Sequence, residues 1–174
     1  IVTAATAAGN TIALGAGDIV DKIGSDSGIM AAVEADGFDV NFFVGAMSVK
    51  AKLRGLRTTD GALIFQPSLT AGTPSSLYGQ PLEFPQNGAW DATKALLICG
   101  DRTQGIIGLR QDIQVRVLDQ AVIQDGSGTI VYNLAQQDMV ALRATMRVAY
   151  QVANPVTNMR PTEANRYPFA VLAP

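Results

Sequence analysis

Between Met139 and Val152 the chain reads MVALRATMRVAYQV, and its residues alternate in kind over the whole stretch. Val140, Leu142, Ala144, Met146, Val148, Tyr150 and Val152 are apolar, while Arg143, Thr145, Arg147 and Gln151 fall between them. Successive side chains of a strand point to opposite faces, so a period of two held this long predicts one strand of about fourteen residues, roughly 45 Å end to end. A helix would scatter the arginines around its cylinder. Ordinary strands run to about five or six residues. The fold must therefore accommodate an unusually long strand with one apolar and one polar face.

The elements around it are shorter. Residues 1–17, IVTAATAAGNTIALGAG, read as a strand or extended arm. Asp18 is an N-cap for a helix over IVDKIG, and Asp26 or Ser27 caps a second, GIMAAVEAD, with Ile29, Met30 and Val33 on its apolar face, ending at Gly37. DVNFFVGAM predicts a buried strand, and Ser48 a cap for VKAKLRGL, with Val49, Leu53 and Leu56 facing inward. Asp60-Gly61 predicts a turn, ALIFQP a strand, and residues 67–79 a long surface loop. QPLEFP reads as an edge strand, and Trp90 as the anchor of the return after Asn87-Gly88. KALLICG is a continuous apolar run, as in a strand buried on both faces. Past the Gly100-Asp101 corner QGIIGLRQ crosses back, and QDIQVRVLD alternates, with Ile113, Val115 and Val117 on one face and Gln114 and Arg116 on the other. Asp125-Gly126 predicts a hairpin turn with a partner strand at Ile130 to Tyr132, and the chain closes on a strand from Phe169 to Leu172.

Composition limits the chemistry. The 174 residues hold no histidine, which removes Ser-His and Cys-His pairs, imidazole metal sites and the usual neutral-pH acid–base group. Cys99 is the single cysteine and lies in an apolar strand, where it reads as a small core residue. With 13 basic against 15 acidic side chains there is no basic field to hold nucleic acid. No run approaches the ~18 apolar residues of a membrane span.

The candidate reactive groups read better as architecture. Ser48 and Lys50, two apart on a helix, point to different faces and cannot share a proton. Asp18, Asp21 and Asp26 fit capping and a solvated face better than a metal site. Asp36 and Asp39 flank Gly37 in a turn, and Asp101 accepts backbone N–H groups at its corner. The sequence thus implies no enzyme, cofactor or metal. Arg143 and Arg147, on the polar face of the long strand, either guard an edge or pair with charges on a neighbouring subunit, and Arg160 and Arg166 in the tail carry the same two readings.

Four stretches taken in order resemble the major capsid protein of tailed bacteriophages, the Hong Kong 97-type shell fold: SVKAKLRGLRTTDGALIFQP, SSLYGQPLEF, ALLICGDRTQGIIGLRQDIQVRV, and VALRATMRVAYQVANP with YPFAVLAP. The resemblance implies an α+β fold: an axial-domain mixed sheet flanked by short helices, plus part of a peripheral domain with a long β-strand. It places residues 1–115 mainly in the axial domain, 116–160 in peripheral strands and 161–174 in a strand returning to the axial sheet. The family's N-terminal arm, extended hairpin and spine helix have no counterpart in these residues, so a C-terminal part of a longer subunit is expected.

The implied function is structural. Copies arranged in pentamers and hexamers would form an icosahedral shell around packaged double-stranded DNA, assembled in the bacterial host cytoplasm and carried in the virion of a phage or prophage. Portal, scaffold or decoration proteins would be the other partners, with DNA met only indirectly and no membrane. An encapsulin-like nanocompartment shell is the near alternative. A small α/β enzyme or ligand-binding domain using carboxylates is the distant one.

Overall fold

A computed structural model describes residues 1–56 and 75–174. The expected turn at Asp60-Gly61, the ALIFQP strand and most of the 67–79 loop lie outside the described residues. The chain forms two compact units, Ile1–Gly105 with Val152–Pro174, and Ile106–Gln151.

The first unit opens with α1 (Val2–Ala8), where the sequence suggested an extended arm. Its residues are largely alanine, the best helix former, and Gly9 ends it in the left-handed conformation at φ 87°. Only Thr11–Ala13 is extended, as β1. Asp18 caps α2 (Ile19–Gly24) by accepting from the Val20 N–H at 3.1 Å. The next helix, α3 (Ile29–Ala35), starts at Gly28 with no side-chain cap, so neither Asp26 nor Ser27 caps it. Ile29 and Val33 are fully buried on its inner face, as their spacing requires. After β2 (Phe42–Gly45) comes α4 (Met47–Gly55), capped at Ala46 without a side-chain bond; Ser48 lies inside its first turn. Val49 and Leu53 are buried, while Leu56 is partly covered.

A short hairpin joins β3 (Ser76–Leu77) to β4 (Gln80–Glu83) through Tyr78 and Gly79, both at positive φ. The predicted loop therefore already contains a strand before residue 79. Trp90 anchors the return by donating its indole N–H to the Ala95 carbonyl at 2.8 Å. All four residues of β5 (Leu97–Gly100) are buried. β10 (Phe169–Ala173) is the last strand.

The six strands stand in the order β1-β10-β5-β2-β4-β3. β10 runs parallel to β1 and antiparallel to β5, with Val171 opposite Ile98. β2 runs antiparallel to β5 and parallel to β4. One face carries the main core, including Ile23, Ile29, Val33, Phe43, Leu53, Leu97 and Leu172; the other carries Ala5, Ile98, Tyr167, Phe169 and Val171. The apolar run 95–99 is thus continuous because its strand is central and covered on both faces.

The second unit is a pair of ribbons. β6 (Gly105–Leu118) pairs with β9 (Ala141–Val152), and β7 (Val122–Gln124) pairs with β8 (Ile130–Asn133), which leads into α5 (Leu134–Gln137). The long strand predicted from alternation is twelve residues, and its partner is longer still at fourteen. β6 runs through the stretch expected to cross back and through the expected boundary at residues 115 and 116. The Asp125 turn is tied by its own carboxylate, whose Oδ1 accepts from the N–H groups of Ser127 and Thr129, both at 2.9 Å.

Candidate assembly interface

The Gly100-Asp101 corner holds the end of the central strand. Gly100 has φ 156°, and a Cβ there would collide with the Pro168 carbonyl oxygen and lie 2.8 Å from the Phe169 Cα. Only glycine lets β5 and β10 approach so closely. Asp101 Oδ1 accepts from the Thr103 N–H at 2.9 Å and from Asn41 Nδ2 at 2.6 Å. Partial burial works to raise its pKa, but hydrogen bonds from Thr103, Gln104 and Asn41 outweigh that and hold it below 3.8. The corner is architectural.

Asp36 has a larger role than the turn the sequence suggested. It is fully buried. Its Oδ2 accepts from Asn10 Nδ2 at 2.7 Å and from the Tyr167 N–H at 2.9 Å, while its Oδ1 faces Arg160 Nε at 3.3 Å. Its own carbonyl accepts from Thr157 Oγ1 at 2.8 Å. Arg166 is 2% exposed and donates to Asn154 Oδ1, the Asn154 carbonyl and the Arg160 carbonyl. Arg166 thus fixes the segment that leads into β10 from inside its own chain, while Arg160 touches Asp36 and stays exposed. Of the four arginines considered from sequence for inter-subunit contact, Arg166 is buried within its own chain, while Arg143, Arg147 and Arg160 are at the surface.

The other candidates divide similarly. Lys50 Nζ sits over the Phe84 ring, 5.5 Å from its centroid, while Ser48 is exposed at the start of α4. Asp18, Asp21 and Asp26 are all exposed, and no His, Cys, Asp or Glu group able to hold a metal ion forms among the described residues. Burial pushes the Cys99 thiol up to about 12, so it stays protonated and inert.

The ribbon unit is where unsatisfied surface collects. Within residues 106–151 the buried hydrophobic is Leu134. Ile107, Leu109, Ile113, Val115 and Val117 of β6 and Leu142, Met146, Val148 and Tyr150 of β9 are all exposed, Leu142 by 72%. β7 and β8 add Val122, Ile123, Ile130, Val131 and Tyr132. The alternation found in the sequence is real, but its apolar side covers no core within the unit. Single exposed apolar residues are ordinary; so many on paired strands mark a contact surface. The polar side forms a shallow depression of about 160 Å³ lined by Gln111, Gln114, Arg116, Arg143, Thr145 and Arg147. Sequence reasoning placed Arg116 on a polar face but could not join it to Arg143 and Arg147. That join depends on the non-local pairing of β6 with β9.

Solved structures share the overall fold of this chain. One from Microbacterium phage Oxtober96 matches with a TM-score of 0.79 at 38% identity, covering 99% of this chain and 54% of that one. One from Mycobacterium phage Adephagia gives 0.75 at 30%, covering 99% and 53%. The capsid of an empty GTA particle gives 0.56 at 23%, over 93% and 48%, a likeness of fold alone. The chain spans about half the length of these relatives, and no curated protein matches it. The mixed sheet with short helices is the α+β fold of phage capsid proteins, of the Hong Kong 97 type. Residues 1–157 match the Phage capsid family, and the chain belongs to that family.

Proposed function

We propose that the chain is the shell-forming part of a phage major capsid subunit, many copies of which tile an icosahedral shell around double-stranded DNA. The observation that carries the reading is the ribbon unit. Two-stranded ribbons are marginal alone in water, and this one leaves most of its large apolar side chains uncovered. Such a surface requires cover in the assembled particle. In this reading Ile1–Gly105 with Val152–Pro174 forms the axial lobe and Ile106–Gln151 the peripheral lobe. Arg143 and Arg147 contact neighbouring copies. The subunit makes pentamers and hexamers, assembles in the host cytoplasm and ends in the virion, with portal, scaffold or decoration proteins as further partners. In this reading it performs no catalysis, which agrees with a buried thiol and the lack of any cluster of acids able to hold a metal ion among the described residues.

The test is expression of the subunit at its natural length, followed by negative-stain microscopy. Closed, uniform shells are expected. Small discrete oligomers that bind a metabolite would refute the reading.

A further inference from the structure

We infer that the polar face of the β6–β9 ribbon is a seat for carboxylates, and that Arg116, Arg143 and Arg147 grip acidic side chains of a neighbouring copy. The inference rests on the shell reading and names the chemistry of the contact. Three guanidinium groups, two amides and a hydroxyl line the depression, with no carboxylate among them. The ion pairs formed among the described residues are Asp91 with Lys94 and Asp36 with Arg160, so none involves these three arginines. Like charges gathered in one dent repel one another, and an incoming anion relieves that repulsion. The site is held on paired strands, and Gln111 Nε2 donates to Gln114 Oε1 at 2.9 Å, which orients both amides. Guanidinium forks take carboxylates two bonds at a time.

Charge distribution favours a carboxylate partner over DNA. Residues 106–151 hold four arginines (110, 116, 143, 147) and four aspartates (112, 119, 125, 138) and no lysine or glutamate, a net charge of zero. A neutral unit sets up no long-range field for a polyanion, but its local patch matches a few discrete charges. The acidic excess of each copy lies elsewhere, with 11 acidic against 9 basic residues outside 106–151. Geometry agrees. Arg143 and Arg147 are four residues apart on one strand, about 13 Å, the spacing of acids at positions i and i+4 of an extended segment.

The test has two arms. In the first, natural-length subunit and its Arg143→Ala/Arg147→Ala variant are assembled and titrated with NaCl under the microscope. Absence of shells from the unaltered subunit would refute the shell reading, and the contact reading with it. Shells from both, with the variant dissociating at several-fold lower salt and Arg→Lys versions restoring only part of the difference, is the expected result. Equal salt resistance overturns the carboxylate seat while leaving the shell reading intact. In the second arm, this chain is titrated with an octaglutamate peptide and, separately, with a short DNA duplex, following the arginine side-chain resonances. The peptide is expected to shift Arg116, Arg143 and Arg147 together, with at least tenfold weaker binding in the double alanine variant. No peptide binding, or tighter binding of the duplex, overturns the proposal.

Discussion

Replacing Asp36 with alanine should destabilise the first unit by about 3–5 kcal/mol, chiefly through loss of the two buried hydrogen bonds that its carboxylate accepts. The structure shows where that comes from. One carboxylate oxygen serves Asn10 Nδ2 at 2.7 Å and the Tyr167 N–H at 2.9 Å, and both bonds are buried. Hydrogen bonds to a charged group contribute about 1.5–3 kcal/mol each. The Arg160 partner is 45% exposed and adds at most about 1 kcal/mol after solvent screening. Asn10 keeps its second bond, to the Tyr167 carbonyl at 3.0 Å, which holds the total below the simple sum. Trp90 is the single tryptophan and packs on both cores of the first unit, so its fluorescence reports that unit alone. In urea, with a slope of about 2 kcal/mol per molar, the midpoint should fall by about 1.5–2.5 M. Asp36→Asn keeps one carbonyl acceptor and should lie between. A loss under about 1 kcal/mol for the alanine variant would refute the idea that this carboxylate pins the segment leading into β10.

Three further outcomes follow from the same geometry. Gly100→Ala forces a Cβ against the Pro168 carbonyl and should cost about 2–3 kcal/mol by overpacking, read by the same fluorescence titration; an unchanged midpoint would show that β5 and β10 can separate freely. Cys99, with its thiol pushed up to about 12, carries about one thiolate in ten thousand at pH 8, so it should resist a disulfide reagent in buffer and react at once in urea; prompt native labelling would mean the sheet opens. The pKa of Asp101 is held below 3.8, so the stability it contributes is present above about pH 4 and lost as pH falls through its folded value; Asp101→Asn should flatten that acid limb, and an unaltered limb would place the titration elsewhere.

Local pattern made much of this molecule legible. The alternation at 139–152, the apolar run at 95–99, the Asp18 cap and the Asp-Gly hairpin each depend on neighbours in sequence, and each is present. Helix α1 departs from the extended arm expected because alanine and β-branched residues in a short segment fit either state, and Gly9 supplies a left-handed cap. What stayed hidden was non-local. Asp36 looked like a turn residue, since Asn10 and Tyr167 are 26 and 131 positions away from it. Arg166 reads as a surface charge for the same reason, since its partners Asn154 and Arg160 are set by the fold of the tail. The arginine depression needed two strands brought together, and the exposure of the ribbon's apolar side cannot be read from a pattern that would look identical over a core.

The place of β10 bears on biosynthesis. It lies between β1 and β5, yet a ribosome makes it after every other strand of that sheet. Until Phe169–Ala173 emerges, β1 has no partner among the described strands and one edge of β5 is unpaired. A nascent chain cut short before that point therefore cannot close its sheet. Incomplete products would carry that open edge, a template for misplaced strand pairing that the closing strand removes.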